Sequence, residues 1–512
     1  MENGSRTQNS VRNVSIALIG QCVGILLQFI SRRIFIDMMS VELLGVNSVF
    51  ANILSVLSLA EMGIGSAITF SLYKPLAKKQ YNKINSIMYF YKWIYRVIAC
   101  AVLGFGVLLV PVLPVIIKDN IPHLIIYYFL YLASTVISYL CAYKRTLIIA
   151  DQKGYISSLY RYTYITLLNI CQVVVLIKTH NYVLYLIVQI VLSFGENILI
   201  SRKADKLYPY LKEKAEKLSS YEKKEYYKNI KALLMHRIGS VVVMNTDSIL
   251  LSAIVNINAA SIYANYKLVF SGLNTIMSQL FSSLTASVGN LMQEREKEHS
   301  YKLYRSIEVL ICWIYGVISI CLIVLFNDFI KLWVGNDFVE KMDYVILLIL
   351  IFFINGIREP TNMFKSANGL FWNDRYKAVI EAVVNIILSI LMGILWGTRG
   401  IFAATVISAL SIPFWVEPYV LYKNYWRRNV AEYFSLVGRQ VITVGIVGLI
   451  IFFLASLINV ASWGMLIVKG VVCFSLANIL FMFVLRKTPE FVQIISIFEG
   501  ILLKIRKLKK ER

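Results

Sequence analysis

The sequence predicts an all-α membrane protein whose chain crosses the bilayer about fourteen times. Of its 512 residues, 58% are hydrophobic and only 16% are charged, whereas soluble domains average roughly 45–50% apolar and about 25% charged residues. The apolar residues form repeated runs of roughly 20 residues, and one such run spans the ~30 Å hydrocarbon core as a helix. Because lipid offers no hydrogen bonds to the backbone, runs of this length must be helical.

Fourteen such runs follow one another, and most of the connections between them are short. The longer connections are residues 202–232, 327–342 and 423–437, together with the tail from Arg486. In chain order the predicted spans are 14–36, 44–70, 87–110, 122–143, 156–177, 182–201, 233–255, 261–290, 306–326, 343–364, 377–396, 400–422, 438–458 and 464–485.

Basic residues mark the cytoplasmic side, because Lys and Arg are enriched in the cytoplasmic loops of membrane proteins. With the amino end inside, the inner loops hold about 39 Lys and Arg residues and the outer loops about 5. We therefore expect both termini in the cytoplasm. The same asymmetry accounts for the net charge of +23, so we expect membrane lipids, and not nucleic acid, as partners of the basic surface.

The connection 202–232 divides six spans from eight and is rich in Lys and Glu. Ser219 and Glu222 have the spacing of a capping box, which predicts a surface helix there. The predicted organisation is an N-lobe at 1–201, the linker 202–232, a C-lobe at 233–422, two further spans at 423–485 and a basic tail at 486–512. The tail is interpreted either as an amphipathic helix on the inner leaflet or as a solvated segment.

An internal sequence repeat predicts that the two lobes are pseudo-symmetric. The segment from Lys144 to Tyr155 (KRTLIIADQKGY) has the same spacing as the segment from Lys365 to Tyr376 (KSANGLFWNDRY). Both follow an even-numbered span and lead into an odd one. Repeats in the same orientation imply two six-helix lobes related by an axis along the membrane normal, with a central cavity and the substrate site between them.

No motif in the sequence indicates an enzyme. A GxxxxGK[ST] phosphate-binding loop and an HExxH zinc motif are both missing from the sequence, and its seven cysteines form no CxxC pair. The four histidines lie in loops or near span ends, in no arrangement typical of a metal site. The sequence therefore predicts no catalytic residues, no metal and no bound cofactor.

The candidate functional residues are the ionisable ones inside the spans, because a charge in the bilayer core costs several kcal/mol unless it faces a cavity or a partner. Arg32 and Arg33 lie in the outer part of the first span. They are interpreted as cavity cations that receive a phosphate, or as side chains that extend to the outer interface. Lys267, in the eighth span, is a candidate phosphate contact or a partner of Asp247.

Three carboxylates are candidates for ion coupling or gating: Glu61, Asp247 and Glu381. Asp247 lies near the middle of the seventh span. Glu61 is alternatively a buried partner of a basic group, and Glu381 is alternatively an ion-pair partner of Lys377, four residues earlier. Another three charged residues near inner helix ends are interpreted as ion pairs or gate contacts: Arg358, Glu359 and Glu417.

Three stretches together carry a resemblance to a known family. LLGVNSVFANILSVLSLAEMGIGSAITFSLYKPLA, DSILLSAIVN with SIYANYKLV, and the run from Glu359 to Asn385 resemble the polysaccharide-export flippases of bacterial surface glycan pathways. These flippases belong to the multidrug/oligosaccharidyl-lipid/polysaccharide exporter (MOP) superfamily. The resemblance implies a cytoplasmic-membrane protein whose V-shaped cavity alternates between inward-open and outward-open states. It implies as substrate an undecaprenyl-pyrophosphate-linked repeat unit of O-antigen, capsule or a similar polymer.

The resemblance also implies roles for particular residues and partners. Basic cavity residues of the related lipid II flippases lie on spans one, two and eight, and Arg32, Arg33 and Lys267 are the nearest counterparts here. The second span departs from that pattern, since it carries Glu61 and no basic residue inside it. Coupling to H⁺ or Na⁺ would act through Asp247 or Glu61. A polysaccharide polymerase and glycosyltransferases are further candidate partners.

Two other functions remain open from the sequence. A cation-coupled small-molecule or multidrug exporter of the same fold predicts a cavity lined mainly by acidic and aromatic residues. A membrane glycan polymerase predicts a sizeable outward loop that holds its chemistry, whereas the longest outward connection here is 327–342.

Overall fold

The computed structural model of the protein describes residues 6–139, 142–213, 215–216, 218–294, 297–368, 370, 373–496 and 499. All the secondary-structure elements in these ranges are helices, which confirms the predicted all-α class. The α-helices are α1 (Arg6–Met38), α2 (Val41–Leu57), α3 (Leu59–Ala77), α4 (Tyr81–Leu108), α5 (Leu113–Ile116), α6 (Leu124–Tyr139), α7 (Ala142–Ala150), α8 (Gly154–Thr179), α9 (Tyr182–Leu207), α10 (Ser220–Leu250), α11 (Ile257–Glu294), α12 (Lys297–Trp333), α13 (Met342–Ala367), α14 (Lys377–Ser411), α15 (Pro413–Leu421), α16 (Ala431–Ala455) and α17 (Trp463–Leu485).

Each predicted span lies on one of these helices, on half of one or on a consecutive pair. The second span comprises α2 and α3, and the fourth comprises α6 and the start of α7. By length and apolarity, the described residues contain 8 helical segments able to cross a membrane, or up to 9 if the bent pair α6 and α7 is one span. The protein is therefore a multi-pass membrane protein.

Gly397 separates the eleventh and twelfth predicted spans inside α14. Its φ of 61° and ψ of −137° are non-helical and bend the helix at this position. A positive φ is accessible to glycine because it has no Cβ. The spans predicted at 377–396 and 400–422 therefore meet at a residue that can make the bend.

The chain forms two compact units, Met1–Ala264 and Asn265–Arg512. In the first unit α1 packs on α8, α9 packs on both α6 and α8, and α10 packs on α2 and α3. In the second unit α12 packs on α13, α16 and α17. The lobe boundaries at residues 202–232 and 422 remain predictions.

The predicted capping box at the start of α10 is present. The Ser219 hydroxyl accepts a hydrogen bond from the Glu222 N–H at 3.2 Å, and the Glu222 carboxylate accepts one from the Ser219 N–H at 3.0 Å. Lys83, at the start of α4, forms an ion pair with the same carboxylate. The hydrogen bonds from Lys83 and Ser219 hold the pKa of Glu222 below its usual value. These contacts tie the linker end of α10 to the rest of the first unit.

The segment after α17 returns to the body of the second unit. Residues 489–496 are helical, and Glu490 accepts hydrogen bonds from Arg305 of α12 at 2.7 and 3.1 Å. Phe491 and Ile494 are buried in the core formed by α12, α16 and α17. The first turns of the predicted interfacial helix thus pack on protein. Phe498, Leu502 and Ile505, which continue its predicted apolar face, lie outside the described residues.

Gly356 of α13 lies directly against the Tyr315 ring of α12. A Cβ at this position would lie 2.1 Å from the Tyr315 ring. We expect Gly356→Ala to destabilise the protein by about 1–3 kcal/mol, because the ring must move within a packed core. The thermal unfolding temperature of the purified protein measures this effect.

Gly438→Ala is the matched control, since nothing lies within 4 Å of a Cβ built at that helical glycine. This variant should unfold at the wild-type temperature or slightly above it. Equal unfolding temperatures for the Gly356 and Gly438 variants would contradict the close packing of α12 on α13.

Candidate substrate cavity and buried charge clusters

The first unit contains a polar cavity of about 1080 Å³. Its volume lies just above the usual range of ligand sites, roughly 300–1,000 Å³. Its walls come from α3, α4, α6, α7, α8 and α9, so the cavity lies among the helices of the N-terminal half. The lining residues are Ser58, Gly65, Thr69, Phe70, Tyr73, Tyr95, Ser134, Thr135, Ser138, Tyr139, Arg145, Thr146, Ile149, Arg161, Tyr164, Ser193, Glu196 and Asn197.

Arg145, Arg161 and Glu196 are the charged residues of this lining. Glu196, on α9, is 6% exposed and accepts a hydrogen bond from Arg145 of α7 at 2.7 Å. Arg161 of α8 lies farther away, with its Nη1 3.9 Å from the other carboxylate oxygen, and half of its side chain is exposed. One carboxylate therefore faces two guanidinium groups, which leaves one positive charge in excess.

Hydroxyl groups supply much of the remaining polar surface. Thr69, Thr135 and Ser138 donate hydrogen bonds of 2.7–3.0 Å to backbone carbonyls of their own helices. Because their donors are occupied within the helix, their oxygens face the cavity as acceptors. Such a surface can accept hydrogen bonds from the hydroxyl groups of a sugar.

The second unit contains a buried charge cluster around Glu417 of α15, which is completely buried. Arg358 of α13 donates two hydrogen bonds to its carboxylate, at 2.8 and 3.0 Å. Lys377, at the start of α14, forms an ion pair with the same carboxylate. Lys365 and Asp374 form a neighbouring buried pair. The cluster joins α13, α14 and α15 through one carboxylate.

The two units share this arrangement of charges. Glu196 and Glu417 are as far apart along the chain as Lys144 and Lys365, which begin the repeated segments. In each unit a buried glutamate accepts a hydrogen bond from an arginine and faces a second cation. This second cation lies on the helix that follows the helix of the arginine. The two glutamates thus keep the spacing of the internal repeat, whereas the arginines that hold them, Arg145 and Arg358, are 213 positions apart and do not.

Arg32 and Arg33 have different environments. Arg33 pairs with Asp37, one turn along α1, at 2.9 Å, and both side chains are more than 40% exposed. The Nη1 atom of Arg32 is buried and has no hydrogen-bond partner among the described residues. Its electrostatic neighbours are the hydroxyls of Tyr185 and Tyr131. Arg32 is therefore the member of the pair that points into the first unit.

The other predicted residues lie on different helices. Asp247 is 5% exposed in α10 and lies near Tyr263 of α11, within the first unit. Lys267 is half-buried in the part of α11 that belongs to the second unit. The side chain of Glu61 lies outside the described residues. Arg32, Arg33 and Asp247 are not among the lining residues of the polar cavity.

Glu381 differs from expectation in its partner. The cation within 4 Å of its carboxylate is Arg358, at 3.9 Å, whereas Lys377 pairs with Glu417 and with Asp374. The reason is the direction of the side chains, since Lys377 points towards α15. Glu381 thereby belongs to the charge cluster around Glu417.

Sequence reasoning missed Arg161 and Glu196 as candidate residues, although a signal was present. Both are ionisable residues inside predicted spans, at 156–177 and 182–201, and so meet the criterion that selected Glu61 and Asp247. Arg145 lies within the repeated segment itself, directly after Lys144. What the sequence lacked was any indication that three helices bring these side chains to one cavity.

Solved structures of membrane transporters resemble this chain over most of its length. The lipid II flippase MurJ in an inward-closed conformation matches with a TM-score of 0.66 and 16% identity, over 92% of this chain and 99% of that one. A MATE multidrug transporter of the MOP superfamily, in an inward-facing conformation, matches with a TM-score of 0.60 and 10% identity, over 80% of this chain and 97% of that one. The Vibrio cholerae MATE transporter VcmN matches with a TM-score of 0.56 and 13% identity, over 83% and 98%.

The chain has the fold of the MOP transporters. At identities of 10–16% the likeness establishes the fold and leaves the substrate open. These similar structures are a flippase and transporters. No protein-family model and no curated protein matches the sequence.

Proposed function

We propose that this protein is a flippase that moves undecaprenyl-pyrophosphate-linked oligosaccharide repeat units from the inner to the outer leaflet of the bacterial cytoplasmic membrane. Transport proceeds by alternating access and supplies surface polysaccharide biosynthesis. The observation that carries the proposal is the polar cavity of the first unit, with its two arginines, one glutamate and many hydroxyls. The fold shared with a lipid II flippase supports it.

The chemistry of the cavity suits a pyrophosphate joined to sugars. These groups cannot enter hydrocarbon without losing their hydration, at a cost of many kcal/mol. A guanidinium group matches the geometry of phosphate oxygens and forms charge-assisted hydrogen bonds with them. Arg145 is engaged with Glu196 at 2.7 Å, so Arg161 is the arginine that offers its donors to a ligand.

The cavity argues against one of the two alternative functions, and a short connection argues against the other. An exporter of cationic drugs would have a mainly acidic and aromatic lining, whereas the charged lining residues here carry a net positive charge. A glycan polymerase needs a sizeable outward loop. Between α12 and α13 the chain has only a short connection, with a single helical turn at Asn336–Phe338.

The proposal includes roles for the residues predicted from the sequence. Arg32 and Lys267 contact the anionic headgroup along its path, with Arg33 near the membrane surface. Asp247, Glu61 and Glu381 take part in coupling to H⁺ or Na⁺ or in gating. Both termini lie in the cytoplasm, where glycosyltransferases deliver the substrate, and a polymerase receives it on the outer side.

Depletion of the protein from cells tests the proposal. We expect an intact lipid-linked repeat unit to accumulate in the inner leaflet, shielded from an external glycosidase or lectin that cannot cross the membrane. Restoring the protein should move the unit to the accessible leaflet.

Two outcomes of this experiment would contradict a flippase. An unpolymerised unit that accumulates exposed on the outer face would indicate a polymerase. An unchanged distribution of the unit, combined with increased sensitivity to cationic drugs, would indicate a multidrug exporter.

A further inference from the structure

Glu308, on α12 in the second unit, is a buried carboxyl group that forms no ion pair with any cation of the described residues. Its side chain is 0% exposed. Within the described part of the chain, no group meets the distance and angle of a hydrogen bond to either carboxyl oxygen. Arg305, one turn earlier, is bonded to Glu490 at 2.7 Å and does not pair with Glu308.

Among the described residues, the titratable groups that interact with Glu308 are phenols and a thiol, which are uncharged at neutral pH. They are Tyr304 and Cys312 on α12, Tyr422 in the wide helical turn Tyr422–Trp426, and Tyr433 on α16. The Tyr304 hydroxyl interacts with the carboxyl and also shares a hydrogen bond of 2.9 Å with the Thr361 hydroxyl of α13, in which either oxygen can be the donor; it offers Glu308 at most one donor. The titratable surroundings of Glu308 are thus three phenol groups and a thiol.

Comparison with the other three buried glutamates of the described residues shows what is unusual. Glu196, Glu417 and Glu490 are each held by an arginine at 2.7–2.8 Å and face a second cation. An ionised carboxylate in a low-dielectric interior is tolerated only when cations or several donors compensate for its lost hydration. Glu308 has neither, so it is stable in this pocket as the neutral acid.

We infer that Glu308 is a proton-binding site that couples proton movement to the transport cycle. This inference rests on the proposed transport function and deepens it. When the pocket closes, the carboxylate takes up one proton from water and forms an O–H bond. When the helices separate and water reaches the pocket, that bond breaks and the proton returns to water on the side then open.

Infrared difference spectroscopy of the reconstituted full-length protein tests the site without any substrate. We expect a band of a protonated, non-hydrated carboxyl group at neutral pH, which shifts when the protein contains isotope-labelled glutamate. The band should disappear in Glu308→Gln and persist in Glu298→Gln, an exposed position on the same helix. The labelled wild-type protein by itself shows whether a protonated glutamate is present, and the Glu308→Gln variant assigns the band to this residue.

Transport measurements in the same liposomes test the coupling. A proton gradient should accelerate transfer of the lipid-linked glycan by the wild-type protein, and the acceleration should fall to about one-fold in Glu308→Gln. Absence of the infrared band in the wild type, or its persistence in Glu308→Gln, would overturn the proton site. Equal acceleration in wild type and Glu308→Gln would overturn the coupling. If the wild-type protein moves no lipid-linked glycan, and the infrared band is present in the wild type and absent from Glu308→Gln, the flippase proposal is overturned and the proton site stands.

Discussion

Glu417→Ala is expected to leave little folded protein in the membrane. The substitution removes the carboxylate that holds Arg358 through two hydrogen bonds and Lys377 through an ion pair, and it leaves both cations buried. Breaking a buried ion pair from one side costs about 3–5 kcal/mol, which is comparable to the whole stability of many domains. The fraction of monodisperse protein after detergent extraction, and its unfolding temperature, measure the loss.

Two control variants separate this effect from a general sensitivity to lost charge. Glu298→Ala removes an ion pair of 2.6 Å with Arg428 in the same unit, but this carboxylate is 53% exposed, so the cost should be at most about 1 kcal/mol. The double variant Arg358→Gln with Glu417→Gln removes the pair together and should recover part of the folded protein. A Glu417→Ala protein as stable as the Glu298→Ala protein would show that the buried cluster does not hold the second unit together.

Arg161→Ala is expected to reduce glycan transfer about ten- to hundred-fold while folded protein stays at its wild-type level. Charge-assisted hydrogen bonds contribute about 1.5–3 kcal/mol each, and about 1.4 kcal/mol corresponds to a tenfold change in rate. Stability changes little because the Arg161 side chain is 52% exposed and lies 3.9 Å from Glu196. The rate at which the repeat unit becomes accessible on the outer face measures the effect.

Arg202→Ala is the matched control, because Arg202 is an exposed arginine of the same unit outside the cavity lining. It should transfer glycan at the wild-type rate. Arg161→Lys should retain an intermediate rate, since it keeps the charge and loses the planar donor pair. Transfer at the wild-type rate by Arg161→Ala would show that the substrate does not pass through the polar cavity, and would leave Arg32 and Lys267 as the candidate headgroup contacts.

The charged residues of the polar cavity were not predicted from the sequence. Arg32, Asp247 and Glu381 were selected for their charge inside apolar runs; each is at least partly buried within its unit, and their roles stay predictions. The same criterion applies to Glu308, yet this residue lies at the edge of a predicted span, where a charge costs little. Only its packing under Tyr304, Tyr422 and Tyr433 distinguishes Glu308 from an interfacial carboxylate.

The sequence by itself determined the class of protein, the helices and their order. These properties depend on local facts, namely the length of each apolar run, the capping box at Ser219 and a glycine at position 397. Only the tertiary structure decided which charges meet. Arg358 and Glu417 are 59 positions apart, and their pairing depends on how far each helix is rotated about its own axis. That rotation is set by side-chain packing across helices, and for this reason Lys377 pairs with Glu417 although Glu381 lies one turn away.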